Sequence, residues 1–488
     1  MLFPIFLYNI GMSKRTKIVA TIGPASEKPA VLDALIKAGM NVARLNLSHG
    51  SHENHATLIK NVRSAGEKFG EPVAILADLQ GPRIRVGELP DKGLNLKSGD
   101  KVTLDTSLEE YRGEKIPVTC PGLEKDLKND VRILLNDGRI ELIVKKIHGS
   151  LIEAEVKVGG LLTSHKGLNF PDCRLSISAI TDKDKDDLKF VLGEGVDLVA
   201  LSFVREAKDI LDLRFLIKDY LKKNKKQQVS MQIIAKIEKG EAIKNIDEII
   251  EAADGIMVAR GDLGIEMPAE DVPLWQKKII AKCLAKAKPV IVATQMLDSM
   301  TYSPRPTRAE VSDVANAVMD HTDAIMLSNE TAAGEYPVEA VEMMAKIVVK
   351  TEASVFDDLP VDNKPADGET EVVLSQLARL LADEVGAKAI LAASITGETG
   401  RQISRFRPEL PIFVATDTVT VQRQLNLSWG VRPFILPPCK SIEELVERSL
   451  AYLKQKKELK KGDKIIIVAG EPVGHAGGVN LVEVKICT

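Results

Sequence analysis

Short runs of apolar and β-branched residues recur from residue 17 to residue 331, and longer segments with helical apolar spacing lie between them. Eight such runs stand out: KIVATIGP (17–24), NVARLNLS (41–48), VAILADLQ (73–80), VDLVALSFV (196–204), QIIAKIE (232–238), GIMVARGD (255–262), PVIVATQM (289–296) and AIMLSNET (324–331). Strand-like runs alternating with helical patterns predict parallel βα units. Eight units in one chain predict a closed (β/α)8 barrel of the TIM type.

The pattern changes between the third and fourth runs. GLNLKSGDKVTLDT, VRILLNDGRIELIVKKI and SLIEAEVKVGG alternate apolar and polar positions and are broken by Asn-Asp-Gly and Gly-Gly turns. Residues 87–168 are therefore expected to form an all-β lid domain, inserted on the C-terminal side of the third strand where barrel active sites are built. That leaves 14–86 and 169–350 for the barrel and 1–13 as an N-terminal tail. After Lys350 the polar stretch VFDDLPVDNKPADGETE reads as a linker, and residues 351–488 are expected to form a C-terminal α/β domain with no cluster of catalytic residue types. Its strand candidates are AKAILAAS, PIFVATD, VRPFIL, DKIIIVAG and LVEVKI, with helical segments such as SIEELVERSLAYLKQKK between them.

Composition narrows this picture. At roughly 150 residues per domain, 488 residues give about three domains, and 44% hydrophobic with 28% charged residues is the balance of a soluble globular chain. A net charge of −3 offers no overall field to recruit nucleic acid or an anionic membrane, so any anionic substrate must be held by local clusters. Cys120, Cys173, Cys283, Cys439 and Cys487 are scattered and lack the paired spacings of zinc or redox centres, which fits a reducing cytoplasm. The apolar start MLFPIFLYNI lacks a basic leading segment, and no run approaches the ~20 apolar residues of a membrane span. Met12, followed at once by SKRTK, reads as an alternative start, with the segment before it a tail.

Reactive side chains collect at the C-terminal ends of different strands, where a barrel enzyme keeps its chemistry. In RLNLSHG, strand alternation puts Arg44, Asn46 and Ser48 on one face, a cation followed by two oxygen donors; a solvated strand end is the competing reading. Lys236 and Glu238 lie two apart at the end of an Ile-rich run, where unpaired charge is costly; a structural salt bridge is the alternative. Asp262, in ARGDLG, opens a short helix whose free N–H groups form an anion site, although a plain helix cap would look the same. Glu238 and Asp262, from adjacent strands, could hold Mg²⁺ or Mn²⁺ through two carboxylates. Thr294 ends the seventh run, and PRPTRAEVSDVANAVMD reads as a helix whose first turn faces the same mouth. Asp78 ends the third run, Arg83 and Arg85 follow a Gly-Pro turn into the lid, and Lys166 sits at the return to the barrel. Guanidinium groups at a lid hinge are suited to clamping phosphates, whereas Lys166 is equally a solvated surface charge.

Taken together, TKIVATIGPAS, ARLNLSHG, IIAKIEKGEAI, MVARGDLGIE, ATQMLDSM and PTRAEVSDVANAV resemble, in order, the motifs of the pyruvate kinase family, and the likeness runs from about Lys14 to the C-terminus. The resemblance implies Mg-dependent phosphoryl transfer from phosphoenolpyruvate to ADP, giving pyruvate and ATP. It implies that Arg44, Lys236, Gly261, Asp262 and Thr294 bind the phosphoenolpyruvate or pyruvate moiety, with Arg44, Lys236 and Thr294 as the catalytic set. It makes Glu238 and Asp262 the metal ligands, and puts Asn46, Ser48, His49, Arg85 and Lys166 around the nucleotide phosphates. A homotetramer is implied as well.

The departures from the family pattern are specific. Many members bind a monovalent cation through positions matching Asn46, Ser48 and Asp78 and a Thr in DTKGPEIR; here Leu79 replaces that Thr and Arg83 replaces the Glu. A fixed guanidinium can stand in for a diffusible K⁺, so the enzyme is expected to work without K⁺. Asp320-His321 and Ser328-Asn329-Glu330 stand where the family has Asp-Gly and Ser-Gly-Glu; Asn tolerates left-handed backbone, and no catalytic role is given to His321. In the C-terminal domain the loop Thr396-Gly397-Glu398-Thr399-Gly400-Arg401 precedes a helix and is the candidate site for a phosphorylated allosteric effector, with a structural turn as the alternative. Two rivals stay in view: a metal-dependent barrel enzyme cleaving carbon–carbon bonds, which would not need Arg85, Lys166 and a lid, and a non-enzymatic sensor, which would not keep Arg44, Lys236, Glu238 and Asp262 together.

Overall fold

The structure, a computed structural model, describes residues 14–171, 173–224, 231–360, 369–470 and 478–488; the tail 1–13 and part of the expected linker, 361–368, lie outside them. Strands β1 (Lys17–Ile22), β2 (Val42–Asn46) and β3 (Ala74–Asp78) are followed by eight short strands, β4 (Leu94–Leu96), β5 (Lys101–Asp105), β6 (Lys115–Pro117), β7 (Arg132–Leu135), β8 (Ile140–His148), β9 (Leu151–Val158), β10 (Gly160–Leu162) and β11 (Leu168–Asn169). The chain then resumes the βα rhythm with β12 (Leu198–Leu201), β13 (Gln232–Ile237), β14 (Gly255–Ala259), β15 (Val290–Ala293) and β16 (Ala324–Leu327). β1 to β3 and β12 to β16 are parallel and close in the order β1-β16-β15-β14-β13-β12-β3-β2, the barrel that the eight apolar runs predict.

Both faces of these strands are covered, which is why they read as continuous apolar runs: every residue of β1, β3, β12, β14, β15 and β16 is buried. Val19, Leu76, Leu198, Ile234, Met257, Ile291 and Met326 fill the interior, and Leu427 of the C-terminal domain packs into the same cluster. Ser51, Thr181 and Thr307 cap three of the surrounding helices, each accepting a first-turn N–H.

β4 to β11 form a two-stranded and a six-stranded sheet around their own apolar core. Two antiparallel chain segments join this lid to the barrel, with Val86 N–H on Lys166 O (2.8 Å), His165 N–H on Val86 O (3.1 Å) and Leu168 N–H on Ile84 O (3.0 Å). The C-terminal domain is a five-stranded sheet of β17 (Ala389–Ala393), β18 (Ile412–Thr416), β19 (Val431–Ile435), β20 (Lys464–Ala469) and β21 (Leu481–Ile486). Its order is β19-β18-β17-β20-β21, with β21 antiparallel. It seats on the N-terminal end of the barrel. Arg407, 1% exposed, donates to Asp323 Oδ2 (2.9 Å) and His321 O (2.7 Å), and Trp429 N–H donates to Asp323 Oδ1 (3.0 Å). His321 thus belongs to the domain junction, far from the mouth of the barrel in chain direction, at the N-terminal end of β16.

Candidate active site

The mouth of the barrel is built around one charge network. Barrel closure sets Asn46 beside Asp78 in the β2–β3 ladder, so the C-terminal ends of those strands lie level. Arg44 Nε and Nη2 then meet Asp78 Oδ2 at 2.8 and 2.6 Å, a two-pronged contact, and Arg44 Nη1 donates to Thr21 Oγ1 at 2.9 Å. From β13, Lys236 Nζ reaches Asp78 Oδ1 at 3.2 Å, Glu238 Oε1 at 2.9 Å and Ser202 Oγ at 2.7 Å. The Ser202 hydroxyl in turn donates to Leu79 O at 2.7 Å.

The residues are buried, so these contacts act at low dielectric. Burial opposes ionisation of Asp78, but Lys236 and Arg44 outweigh it and hold the carboxyl below the usual range. Burial likewise opposes the Lys236 charge, and Asp78 and Glu238 outweigh it, raising the ammonium above its ordinary value. Glu238 goes the other way: burial pushes it up, Lys236 offsets part of that, and the like charge of Asp262 adds to the rise. Glu238 Oε2 accepts the N–H of Phe203 at 2.8 Å, and Phe203 holds that position with φ +56°, rare for a bulky residue.

Asp262 stands in the first turn of the helix Arg260–Glu266 that follows β14, and faces the cleft below the lid with Arg83, Phe203, Lys239 and Glu266. Glu238 and Asp262, two carboxylates that repel each other, with Lys236 paired to Glu238, form a hard-oxygen donor pair that suits a divalent cation completed by substrate oxygens. Among the described residues no group of three or more His, Cys, Asp and Glu could hold a metal ion by itself. Gly261 N–H donates to Thr294 Oγ1 at 2.8 Å, and the same hydroxyl donates to Ala293 O at 2.6 Å. Thr294 and Gln295 turn through left-handed backbone, φ +73° and +55°, which swings the Thr hydroxyl under the helix start.

Other sequence-derived residues fall at the rim. Asn46 Oδ1 accepts the Ser48 N–H at 3.2 Å, and His49 is exposed, its carbonyl facing His55 Nε2 at 2.8 Å. Arg85 donates to His165 O at 3.0 Å; partial burial and then neighbouring Arg83 hold it below the ordinary arginine value, and among the described residues neither guanidinium has a carboxylate partner. In the two-segment stalk that joins lid and barrel, Gly167 stands opposite Arg85 and Lys166 opposite Val86. Leu79 is 1% exposed and its side chain packs with the core between barrel and helices, so only its carbonyl faces the site. The helix Arg308–Met319 meets the mouth through structural contacts: Glu310 closes its capping box with Thr307, and Asp313 clamps Arg260, the first residue of the helix bearing Asp262, at 2.7 and 2.8 Å. In the C-terminal domain Gly397, φ +82°, starts the helix Glu398–Ser404; Arg401 pairs with Glu398 at 2.8 Å, and Thr396, Thr399 and Arg401 line a cavity of about 510 Å³. Gly400 is required by packing, since a Cβ there would stand 2.9 Å from Val414.

Ser202, Phe203 and Thr21 were missed by sequence reasoning. Ser202 left one trace, a single hydroxyl in the run VDLVALSFV; Phe203 acts through its N–H, which no side-chain pattern reveals.

Comparison with known proteins agrees with this geometry. The profile of the pyruvate kinase barrel domain matches residues 13–341 and that of the pyruvate kinase alpha/beta domain matches residues 373–485. The chain is 44% identical to the pyruvate kinase of Geobacillus stearothermophilus over 479 residues, spanning 97% of this chain and 81% of that one. It is 43% identical to the pyruvate kinase of Clostridium acetobutylicum over 477 residues, spanning 97% and 99%. Among solved structures it is similar to a pyruvate kinase from Cryptosporidium parvum, with a TM-score of 0.91, 36% identity and coverage of 98% and 97%.

Proposed function

The chain belongs to the pyruvate kinase family, and on that premise we propose how its own residues divide the transfer of a phosphoryl group from phosphoenolpyruvate to ADP. The observation that carries the division of labour is Lys236, a largely buried ammonium held among Asp78, Glu238 and Ser202 at the barrel mouth. Phosphoryl transfer needs alignment and neutralisation of spreading negative charge more than covalent help. Lys236 meets the transferring phosphoryl oxygens and the enolate oxygen that develops as the phosphoryl leaves. Arg44, fixed by Asp78 and Thr21, binds the phosphoryl group from the other side.

Glu238 and Asp262 would hold the divalent ion, Mg²⁺ or Mn²⁺, which when bound supplies positive charge to the phosphoryl and carboxylate oxygens. Gly261 and Thr294 receive the carboxylate of the three-carbon unit at the helix start. The Thr294 proton is directed at Ala293 O, so the hydroxyl must rotate before it can relay a proton to the enolate carbon. Asn46, Ser48, His49, Arg85 and Lys166 contact the nucleotide phosphates as the lid comes down, and the unpaired Arg83 and Arg85 give that anion a local attraction which the net charge of −3 does not.

Arg83 also takes the place of a monovalent cation, so no K⁺ is required; with the Leu79 side chain in the core, this reading rests on Arg83 alone. The C-terminal cavity receives a phosphorylated effector at Thr396, Thr399 and Arg401, and the active form is a homotetramer working in the cytoplasm, a compartment that suits five free cysteines. A coupled assay with phosphoenolpyruvate, ADP and Mg²⁺ in potassium-free buffer tests the central claims. Full turnover that KCl does not raise is expected; a many-fold rise on adding KCl refutes the cation reading, and absence of turnover under both conditions refutes the assignment.

A further inference from the structure

The lid is tied to the metal-binding carboxylates through a buried triad outside the residues assigned above. Glu266, 7% exposed, is the last residue of the helix that carries Asp262, one turn further on. Its Oε1 accepts Asn169 Nδ2 at 2.9 Å and Lys239 Nζ at 2.5 Å. Asn169 belongs to β11, the last lid strand before the chain returns to the barrel. Lys239 follows Glu238 directly, and its ammonium lies 5.7 Å from the centre of the Phe203 ring, whose backbone N–H holds Glu238 Oε2.

The lid also comes close to the same helix at a second place. The lid turn Asn136-Asp137-Gly138 runs through three consecutive left-handed residues, and a side chain added at Gly138 would meet Ile265 at 3.7 Å. One carboxylate therefore joins three elements: the returning lid strand, the helix bearing Asp262 and the strand end bearing Glu238. Lys239 neutralises Glu266, and Asn169 is the neutral partner that can let go without stranding a buried charge.

We infer that Asn169, Glu266 and Lys239 form a latch, positioning residues that fix the lid against the barrel and so set how firmly the nucleotide is gripped. The latch rests on the functional reading above for its consequence, but not for its geometry. Because Asn169 and Lys239 converge on the same oxygen, exchanging the two chemistries should be tolerated: Asn169→Asp with Glu266→Gln keeps one carboxylate for Lys239 and one amide donor.

The test uses the full-length enzyme. Hydrogen exchange at the stalk amides of Val86 and Leu168, without metal or substrate, should quicken about fivefold in Asn169→Ala, the weight of one hydrogen bond. The same variant should raise KM for ADP by a similar factor while leaving KM for phosphoenolpyruvate within about twofold. Asn169→Asp and Glu266→Gln should each show the defect and their combination should largely remove it. The latch is overturned if Asn169→Ala lowers only the melting temperature, if both KM values move together, or if the double variant is as impaired as the two single changes added. Should Glu266→Gln fail to fold, Asn169→Ala decides alone. Exchange without substrate separates failure of the latch from failure of the assigned reaction, which the wild-type assay reports.

Discussion

Replacing Lys236 by Met separates the charge balance of the site from its chemistry. Met is unbranched and of similar length, so it fills the same space without the ammonium. In the intact site two cations, Arg44 and Lys236, face two carboxylates, Asp78 and Glu238, whose side chains are 2% and 3% exposed. Arg44 still pairs with Asp78 in the variant, while Glu238 keeps only the Phe203 N–H and faces Asp262. Leaving one buried carboxylate without its cation costs about 3–5 kcal/mol. For a domain of this size that lowers the melting temperature by roughly 6–10 °C. Scanning calorimetry in EDTA, so that no metal substitutes for the ammonium, measures it. Adding Glu238→Gln removes the stranded charge and should restore most of the lost stability. Neither variant regains chemistry: kcat should fall about 10²–10³-fold or more in both, the scale of losing one preorganised charge at the transition state. A single variant melting within about 2 °C of wild type, a double variant no more stable than the single, or kcat retained within about tenfold would each refute the reasoning.

Arg407→Met should cost about 3–5 kcal/mol by stranding Asp323 at the domain junction, and calorimetry should show the C-terminal domain melting apart from the barrel. Asp357 carries a pH prediction: burial, then repulsion from Glu352, pushes its carboxyl up to about 7, so the folded state keeps a proton the unfolded chain has released, and stability is lost as pH rises toward and through 7. His321, pushed down to about 4 chiefly by burial, works in the opposite sense between about 4 and 6.5. Asp357→Asn should therefore stabilise by about 1–3 kcal/mol at pH 8, where the orphaned Oδ1 is charged, and by little at pH 5; equal urea midpoint shifts at both values would contradict this. Arg83→Glu should make activity rise on adding KCl, measured against the unresponsive parent in the same coupled assay. Asp262→Asn should weaken Mn²⁺ binding read by electron paramagnetic resonance about tenfold or more without substrates present.

The barrel was legible because closure buries each strand on both faces, so all eight apolar runs became strands of one parallel sheet. Pairs within one strand were legible too: Lys236 and Glu238, two apart on β13, touch at 2.9 Å. Contacts between strands were not. Asp78 read as the end of an apolar run and, by resemblance, as a monovalent-cation position, yet it links Arg44 of β2 to Lys236 of β13, a junction that depends on barrel register. Left-handed backbone at Phe203 and Thr294 was equally hidden, since neither is a residue type that announces it. The charges at the start of the helix Arg308–Met319 had no role readable from spacing; Glu310 is part of a capping box, a Thr-x-x-Glu pattern, and Asp313 clamps Arg260, a contact between elements.

The internal pairing of the site has a consequence for the order of events. Lys236 is engaged by Asp78, Glu238 and Ser202, and Arg44 by Asp78 and Thr21, so neither cation is free to meet a phosphoryl group without loosening a partner. A divalent ion drawn to Glu238 and Asp262 would relieve their mutual repulsion and take over from Lys236 the task of neutralising Glu238. With Glu238 so neutralised, Lys236 would be freer to face the substrate oxygens. Metal and phosphoenolpyruvate should then bind with positive coupling even without direct contact between them. By linkage, phosphoenolpyruvate must tighten metal binding by the same factor that metal tightens phosphoenolpyruvate. Lys236→Met, which has nothing to release, should lose most of that coupling, both factors falling together toward one.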